Sequence, residues 1–234
     1  MPTRPSPWVS ARVIDVRPET ARAKTFRLAL PAASAHRAGQ HYVLRLTAPD
    51  GYTAARSYSV ASAPDGSAEI ELTVERLDGG EVSTFLHDVV EPGDELEVRG
   101  PIGGWFVWDG DRPAVLVGGG SGVVPLMAML RLARDSGCAA LVRLIVSVRR
   151  QADLYYAGEL PGPETAVVHT REAPEGAARP AGRLTGDDLA GLVTPGVTAY
   201  VCGSSGFADH ASHLLVDLGL PTDRIRVERF GPTG

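Results

Sequence analysis

The stretch Leu116-Val117-Gly118-Gly119-Gly120-Ser121-Gly122-Val123-Val124-Pro125 limits what this chain can become. An apolar run over 114–117 breaks into four glycines within five positions, and a segment of helical periodicity over 123–134 follows. Strand, glycine turn and helix in that order let a backbone come close to a phosphate. The glycines permit the turn and the approach, and the free N–H groups and dipole of the helix start favour an anion. The G-x-G-x-x-G pattern is incomplete, because Pro125 stands where its last glycine would fall. A tight turn with no ligand is the plain alternative.

A chain of 234 residues makes one large or two small domains at roughly 100–200 residues each. The net charge of −5, with no Lys/Arg block, argues against a nucleic-acid binder. Two cysteines, Cys138 and Cys202, are too few for a disulfide framework or for four thiolates on an iron–sulfur cluster. Residues 1–7 carry three prolines and no apolar core, and are expected to be a disordered tail and not a signal peptide. The uncharged run over 113–130 nears the minimum of about 17–18 residues for a membrane span, but its glycines and Pro125 split it. A cytoplasmic protein is expected.

Two halves differ in pattern. Strands are expected over 8–16, 23–30, 42–46, 57–61, 70–74 and 96–98, separated by Pro/Asp/Gly turns, with one short helix over 82–89. That spacing suggests a small antiparallel β-barrel or sandwich over 8–108. After the polar cluster 108–113, strands over 114–117, 142–148, 166–169, 199–202 and 226–230 alternate with helices over 123–134, 153–160, 187–192 and 207–218. Such alternation implies an α/β doubly wound parallel five-stranded sheet over 112–234. Ligands in these sheets sit at the carboxyl ends of strands, where Gly118–Gly122 and Cys202-Gly203 fall.

Further motifs carry chemistry. Arg56-Ser57-Tyr58-Ser59 falls on a strand, which sends Arg56 and Tyr58 to one face and Ser57 and Ser59 to the other. Asp78-Gly79-Gly80-Glu81-Val82-Ser83-Thr84 runs a glycine pair into a short helix, a second anion site with Ser83 and Thr84 as added hydroxyl donors. Gly100-Pro101-Ile102-Gly103-Gly104-Trp105-Phe106 closes the first half, and Glu228-Arg229-Phe230-Gly231-Pro232 ends the chain. His210 and His213 share a helix face without a third metal ligand and are expected on a solvated face, and His41 and His87 read as structural.

In this order the motifs resemble those of the ferredoxin–NADP reductase superfamily, over nearly the whole chain. The likeness is to FAD-binding reductases with no fused ferredoxin domain, and to the reductase parts of flavohaemoglobins and multicomponent oxygenases. The resemblance implies an FAD-binding barrel followed by a nicotinamide-dinucleotide domain. Arg56 would pair with a flavin phosphate, a contact that suits a guanidinium fork. Tyr58 would lie against the isoalloxazine ring, and Ser59 would hydrogen-bond N5. Gly79, Gly80, Glu81, Val82, Ser83 and Thr84 would face the pyrophosphate. Gly118, Gly119, Gly120, Ser121 and Gly122 would hold the nicotinamide dinucleotide, with Cys202 and Gly203 near the nicotinamide. Glu228 would tune the reacting ring edge or relay protons, and Phe230 would cover the flavin.

The strand over 142–148 ends in Ser147-Val148-Arg149-Arg150 with no acid before Asp153. Ser147, Arg149 and Arg150 therefore make an anion site for an adenosine 2′-phosphate, so NADPH is expected, with NADH possible. Arg183 is a weaker candidate for the same ligand. Hydride would pass from NADPH to FAD, and electrons to a separate acceptor such as a ferredoxin, haem protein, oxygenase or molybdenum enzyme. An NAD(P)H:flavin reductase using free flavin, or a non-catalytic nucleotide-sensing subunit, stays open as an alternative.

Overall fold

The structure is a computed structural model that describes residues 6–160 and 162–231. Most of the tail expected over 1–7, and Pro232 of the terminal motif, lie outside the described residues.

The first half is an antiparallel six-stranded sheet of Val9–Thr20 (β1), Ala23–Ala29 (β2), His41–Thr47 (β3), Thr53–Ser59 (β4), Glu69–Glu75 (β5) and Glu95–Ile102 (β6). Its order is β4-β3-β6-β1-β2-β5. An antiparallel bridge between Val60 and Leu72 brings the end of β4 back to β5 and draws the sheet into a barrel. Strand alternation fills the interior: Phe26 and Leu28 point in, while Arg27 between them reaches out to Glu69. Strand β1 runs longer than its apolar pattern because two irregularities let it continue past its pairing with β6. Helix α1, Glu81–Asp88, buries Val82 and Leu86 in this core.

The second half is a parallel sheet of Ala114–Gly119 (β7), Val142–Val148 (β8), Thr165–His169 (β9), Thr198–Ser204 (β10) and Ile225–Phe230 (β11), in the order β11-β10-β7-β8-β9. The chain leaves β7 in one direction towards β8 and in the other towards β10, which places the topological switch between β7 and β10. Helices Val123–Asp135 (α2) and Ser205–Asp217 (α3) cover opposite faces, as their membership in separate buried clusters records. No helix among the described residues is long and apolar enough to cross a membrane.

Two expected helices are replaced. Residues 153–160 form turns after a 3-10 turn at Gln151–Asp153, because Tyr156 adopts φ 56°, a left-handed conformation that stops a helix. Residues 187–192 form two 3-10 turns, with Asp188 turned back to accept from the Thr185 N–H and from Arg179. Strand β4 occupies Thr53–Ser59 instead of 57–61, its register set by pairing along β3.

The α2 face of the parallel sheet packs against the barrel. One buried cluster joins Ala38, Ala61, Phe106 and Trp108 of the first half to Leu116, Leu126, Met127, Tyr200 and Cys202 of the second. The two sheets therefore share a core.

Candidate active site

Helix α1 begins at Gly80, whose own N–H donates to the Leu77 carbonyl, while the Thr84 N–H returns to the Gly80 carbonyl. Among the described residues the N–H groups of Glu81, Val82 and Ser83 have no protein acceptor, so three adjacent donors face outward at the helix start. Gly79, at φ 74° with open space where a side chain would be, keeps the approach clear. The Ser83 side chain is not among these donors. It is buried, it donates to the Gly80 carbonyl at 3.2 Å and it accepts from the Leu77 N–H at 3.1 Å. The Ser83 hydroxyl thus shapes the turn, and only its backbone N–H is left for a phosphate.

Arg56 is exposed on β4 and, among the described residues, is in no ion pair; its guanidinium donates to the Ala55 carbonyl at 2.8 Å. The Tyr52 hydroxyl donates to Glu81 at 3.1 Å, and both the Glu81 and the Arg56 charges act on it. The start of α1 and the exposed arginine of β4 are therefore neighbours. Tyr58 is half-buried, and burial pushes its phenol up to about 12, so the ring presents a neutral face. Ser57 is exposed and Ser59 buried, the latter paired across the strands with His41.

In the second half, Gly118, Cys202 and Glu228 lie in register on the neighbouring strands β7, β10 and β11. Cys202 is fully buried, and burial together with the Glu228 charge holds its thiol well above the usual range. Burial likewise pushes the Glu228 carboxyl up to about 7. A protonated thiol beside a neutral or easily charged carboxyl suits hydrogen bonding and electrostatic tuning, not nucleophilic attack.

The glycines of the loop have different duties. Only Gly120, at φ 55°, needs glycine for its backbone angle. A side chain on Gly122 would collide with the Cys202 carbonyl, and one on Gly119 would come within 2.6 Å of the Phe207 ring. Close packing of β7 on β10 and α3 requires them. Ser121 lies half-buried in the 3-10 turn Gly120–Gly122, and Gly203, facing the same Phe207 ring, is in register with Arg229. Pro125 is the third residue of α2, where its missing N–H breaks no helical bond. Phe230, half-buried at the end of β11, packs on the shared core.

At the end of β8, Ser147 is buried in register with Gly119, while Arg149 and Arg150 are exposed. Arg150 is 3.4 Å from Glu172, an acid brought from beyond β9 that the run 144–150 could not reveal. Arg149 has no ion-pair partner among the described residues, and its carbonyl accepts from the N–H groups of Arg171 and Glu172. Arg183 is exposed. His210 donates to the Leu184 carbonyl at 2.8 Å, so it is a structural histidine and not a solvated one.

The interdomain polar network escaped the sequence. Arg131 of α2 contacts Glu71 of β5, Glu159 and the Ala61 carbonyl, and buried Tyr156 donates to Thr73 at 2.5 Å. Its members are scattered from Arg17 and Glu19 to Glu159, so no local motif announces it; the adjacent Tyr155-Tyr156 in an aromatic-poor chain was the only local sign.

A barrel with an open helix start joined to a doubly wound sheet, each with its own glycine turn, is the two-domain architecture of oxidoreductases that bind a flavin and a nicotinamide dinucleotide. Family models for the oxidoreductase FAD-binding domain and the oxidoreductase NAD-binding domain match residues 10–107 and 116–213. The chain belongs to the ferredoxin–NADP reductase superfamily. It is 40% identical over 154 residues to ferredoxin–NADP reductase B of Sorangium cellulosum, covering 64% of this chain and 62% of that one. It is 31% identical over 215 residues to a flavohemoprotein of Deinococcus radiodurans, covering 86% of this chain and 53% of the relative. The chain thus spans about half to just under two thirds of these curated relatives. The flavohaemoglobin-like FAD/NAD-binding domain of nitric oxide dioxygenase from Vibrio cholerae superposes with a TM-score of 0.84 at 26% identity, over 98% of this chain and all of that one.

Proposed function

We propose that this chain accepts hydride from NADPH onto its bound FAD and delivers the electrons to a separate protein acceptor. The flavin, when bound, supplies a group that takes two electrons and releases them singly or together. The residues supply position. The free N–H groups of Glu81, Val82 and Ser83, with Arg56, would hold the flavin phosphates; Tyr58 would lie along its ring and Ser59 at N5. The turn Gly118–Gly122 with Gly203 would carry the nicotinamide dinucleotide. Cys202 and Glu228 would border the nicotinamide, and Phe230 would cover the flavin until the nicotinamide displaces it. The exposed Arg149, with Arg150 when it leaves Glu172, favours a 2′-phosphate and hence NADPH. The flavin domain is taken as 8–108 and the nicotinamide domain as 112–234.

One observation carries this reading. Ala61, two residues beyond Ser59, lies in the same buried cluster as Cys202, and Phe230 packs on that cluster. The strand ends proposed for the flavin and for the nicotinamide thus pack on one core. The likeness to a ferredoxin–NADP reductase and to proteins named for haem and for dioxygenase activity supports a ferredoxin, a haem protein or an oxygenase as acceptor. The unpaired Cys138 and Cys202 fit a reducing, cytoplasmic setting.

Anaerobic stopped-flow mixing with NADPH and with NADH tests the proposal. Bound flavin should bleach, faster at low NADPH than at low NADH, and Arg149→Ala should raise the NADPH Michaelis constant by about tenfold while leaving NADH unchanged. Loss of yellow colour during gel filtration would point instead to free flavin as substrate. Colour kept without bleaching by either nucleotide would point to a sensing subunit.

A further inference from the structure

We propose that Arg131 is a positioning residue for hydride transfer, fixing the strand end that carries Ser59 against the helix that starts at the dinucleotide loop. This rests on the flavin–nicotinamide reading above. Arg131 lies about 12 Å along α2 from its first residue, at about 1.5 Å per residue. It is only 15% exposed, and four of its N–H groups are engaged. One nitrogen donates to the Ala61 carbonyl at 2.9 Å and to Glu71 at 2.8 Å. The other side of the fork donates to Glu159 at 2.9 and 2.6 Å.

Ala61 is the informative partner. It follows Ser59 by two residues, its N–H donates to the Glu71 carbonyl at 2.8 Å, and its neighbour Val60 bridges to Leu72. The segment after Ser59 is therefore held by Gln40 through the Val60 amide at 2.9 Å, by β5 through the Ala61 amide, and by Arg131 through the Ala61 carbonyl. Glu71 is itself clamped by Arg17 at 2.7 and 2.9 Å. The Tyr156 ring lies 5.2 Å from the Arg131 guanidinium, and its N–H donates to Glu19 of β1 at 3.0 Å. Side chains of β1, β5 and α2 thus meet in one continuous polar network across the domain boundary.

Buried ion pairs add little net stability, because desolvation offsets their attraction. At Arg131 and Glu71, each 15% exposed, any other arrangement would leave a desolvated charge unpaired, so this pair favours one geometry. Hydride transfer depends on geometry: a displacement of about 1 Å can cost about 100-fold in rate. A lysine at this position would keep the charge, but a single ammonium cannot reach Ala61, Glu71 and Glu159 together.

The test compares the parent holoprotein with Arg131→Lys and with Glu159→Gln, whose site is more exposed and whose loss leaves the Arg131–Glu71 pair intact. Flavin content, affinity for 2′,5′-ADP, the rate of flavin reduction at saturating NADPH and amide exchange at 59–61 are measured on each. The expected result for Arg131→Lys is a fall of about tenfold or more in the saturated rate, with ligand affinities within about twofold and faster exchange at 59–61. Glu159→Gln should show the same pattern to a smaller degree. Unchanged saturated rates in both variants, or losses that follow flavin content or 2′,5′-ADP affinity, would overturn the positioning role. Failure of the parent itself to bleach would overturn the functional reading first, whereas the exchange at 59–61 reports the Arg131 clamp independently of turnover.

Discussion

Glu228 shows how one residue's surroundings set both its chemistry and a stability signature. Its carboxyl lies in register with Cys202 on a neighbouring strand, and burial raises it to about 7 from an ordinary 4.5. Below about pH 4.5 the group is neutral whether the chain is folded or not, and its full contribution is present. Between 4.5 and 7 the unfolded chain ionises while the folded one keeps its proton, so stability falls as pH rises. Above 7 the folded carboxyl is charged too, and the loss levels off. For a partly exposed group the change is on the order of 1–3 kcal/mol. Urea denaturation of the parent and of Glu228→Gln at pH 5 and pH 8 isolates it, since every other carboxylate is shared. The parent should lose that much more stability than the variant between the two pH values; equal losses would mean that the folded carboxyl is not held neutral.

At the scale of elements, the loop between β7 and α2 is shaped by its neighbours as much as by its glycines. Ser204 caps α3 by accepting from the Phe207 N–H at 3.4 Å, and the Phe207 ring then lies over Gly119 and Gly203. Gly119→Ala should therefore destabilise by about 1–3 kcal/mol through overpacking. Phe207→Leu, costing about 1 kcal/mol alone, should recover part of that loss in the double variant. Denaturant titration of the four proteins measures the coupling, and strict additivity would show that the ring does not set the glycine. The strands and the loops that flank them were legible beforehand because alternation and Pro/Gly turns are local signals: β8 matches its expected span over 142–148, and β7, β9, β10 and β11 begin or end within two residues of theirs. The expected helices over 153–160 and 187–192 failed because tertiary contacts outweigh propensity there. Tyr156 is held left-handed by bonds to Glu19 and Thr73, and Asp188 folds back on Thr185 and Arg179. The sequence pattern starts β4 too late because Thr53-Ala54-Ala55 carries no large apolar side chain to set an alternation, although Arg56 and Tyr58 stand out in it. The site glycines were legible as a group; their separate reasons, one backbone angle and several close contacts, needed the packing.

The molecule as a whole is joined by a connector that acts as a weld. Residues between β6 and β7 form a polar turn on paper, yet Phe106, Val107 and Trp108 are buried. The Trp108 N–H donates to the Ala38 carbonyl at 3.1 Å and its indole to the Arg112 carbonyl at 3.0 Å. The Val107 carbonyl accepts from Tyr200 at 2.9 Å and from Arg226 at 2.7 Å, and Phe106 meets the Tyr200 ring edge-on at 5.4 Å. Both domains hold this segment, and Phe106 and Trp108 belong to the cluster that includes Leu126, Met127 and Cys202. A hinge would need apolar contacts that can be broken cheaply, and these cannot. The two domains should therefore unfold as one unit, with calorimetric and van't Hoff enthalpies in agreement. Trp108→Ala removes a fully buried indole from the shared core and should cost about 3–5 kcal/mol. It should lower a single transition for the whole chain without splitting it, because the Arg131 network still spans the boundary. Scanning calorimetry reads both outcomes, and in the variant the remaining Trp8 reports the first domain while Trp105, against Arg226 of β11, reports the boundary. Two resolved transitions in the parent would show that the shared core does not couple the domains.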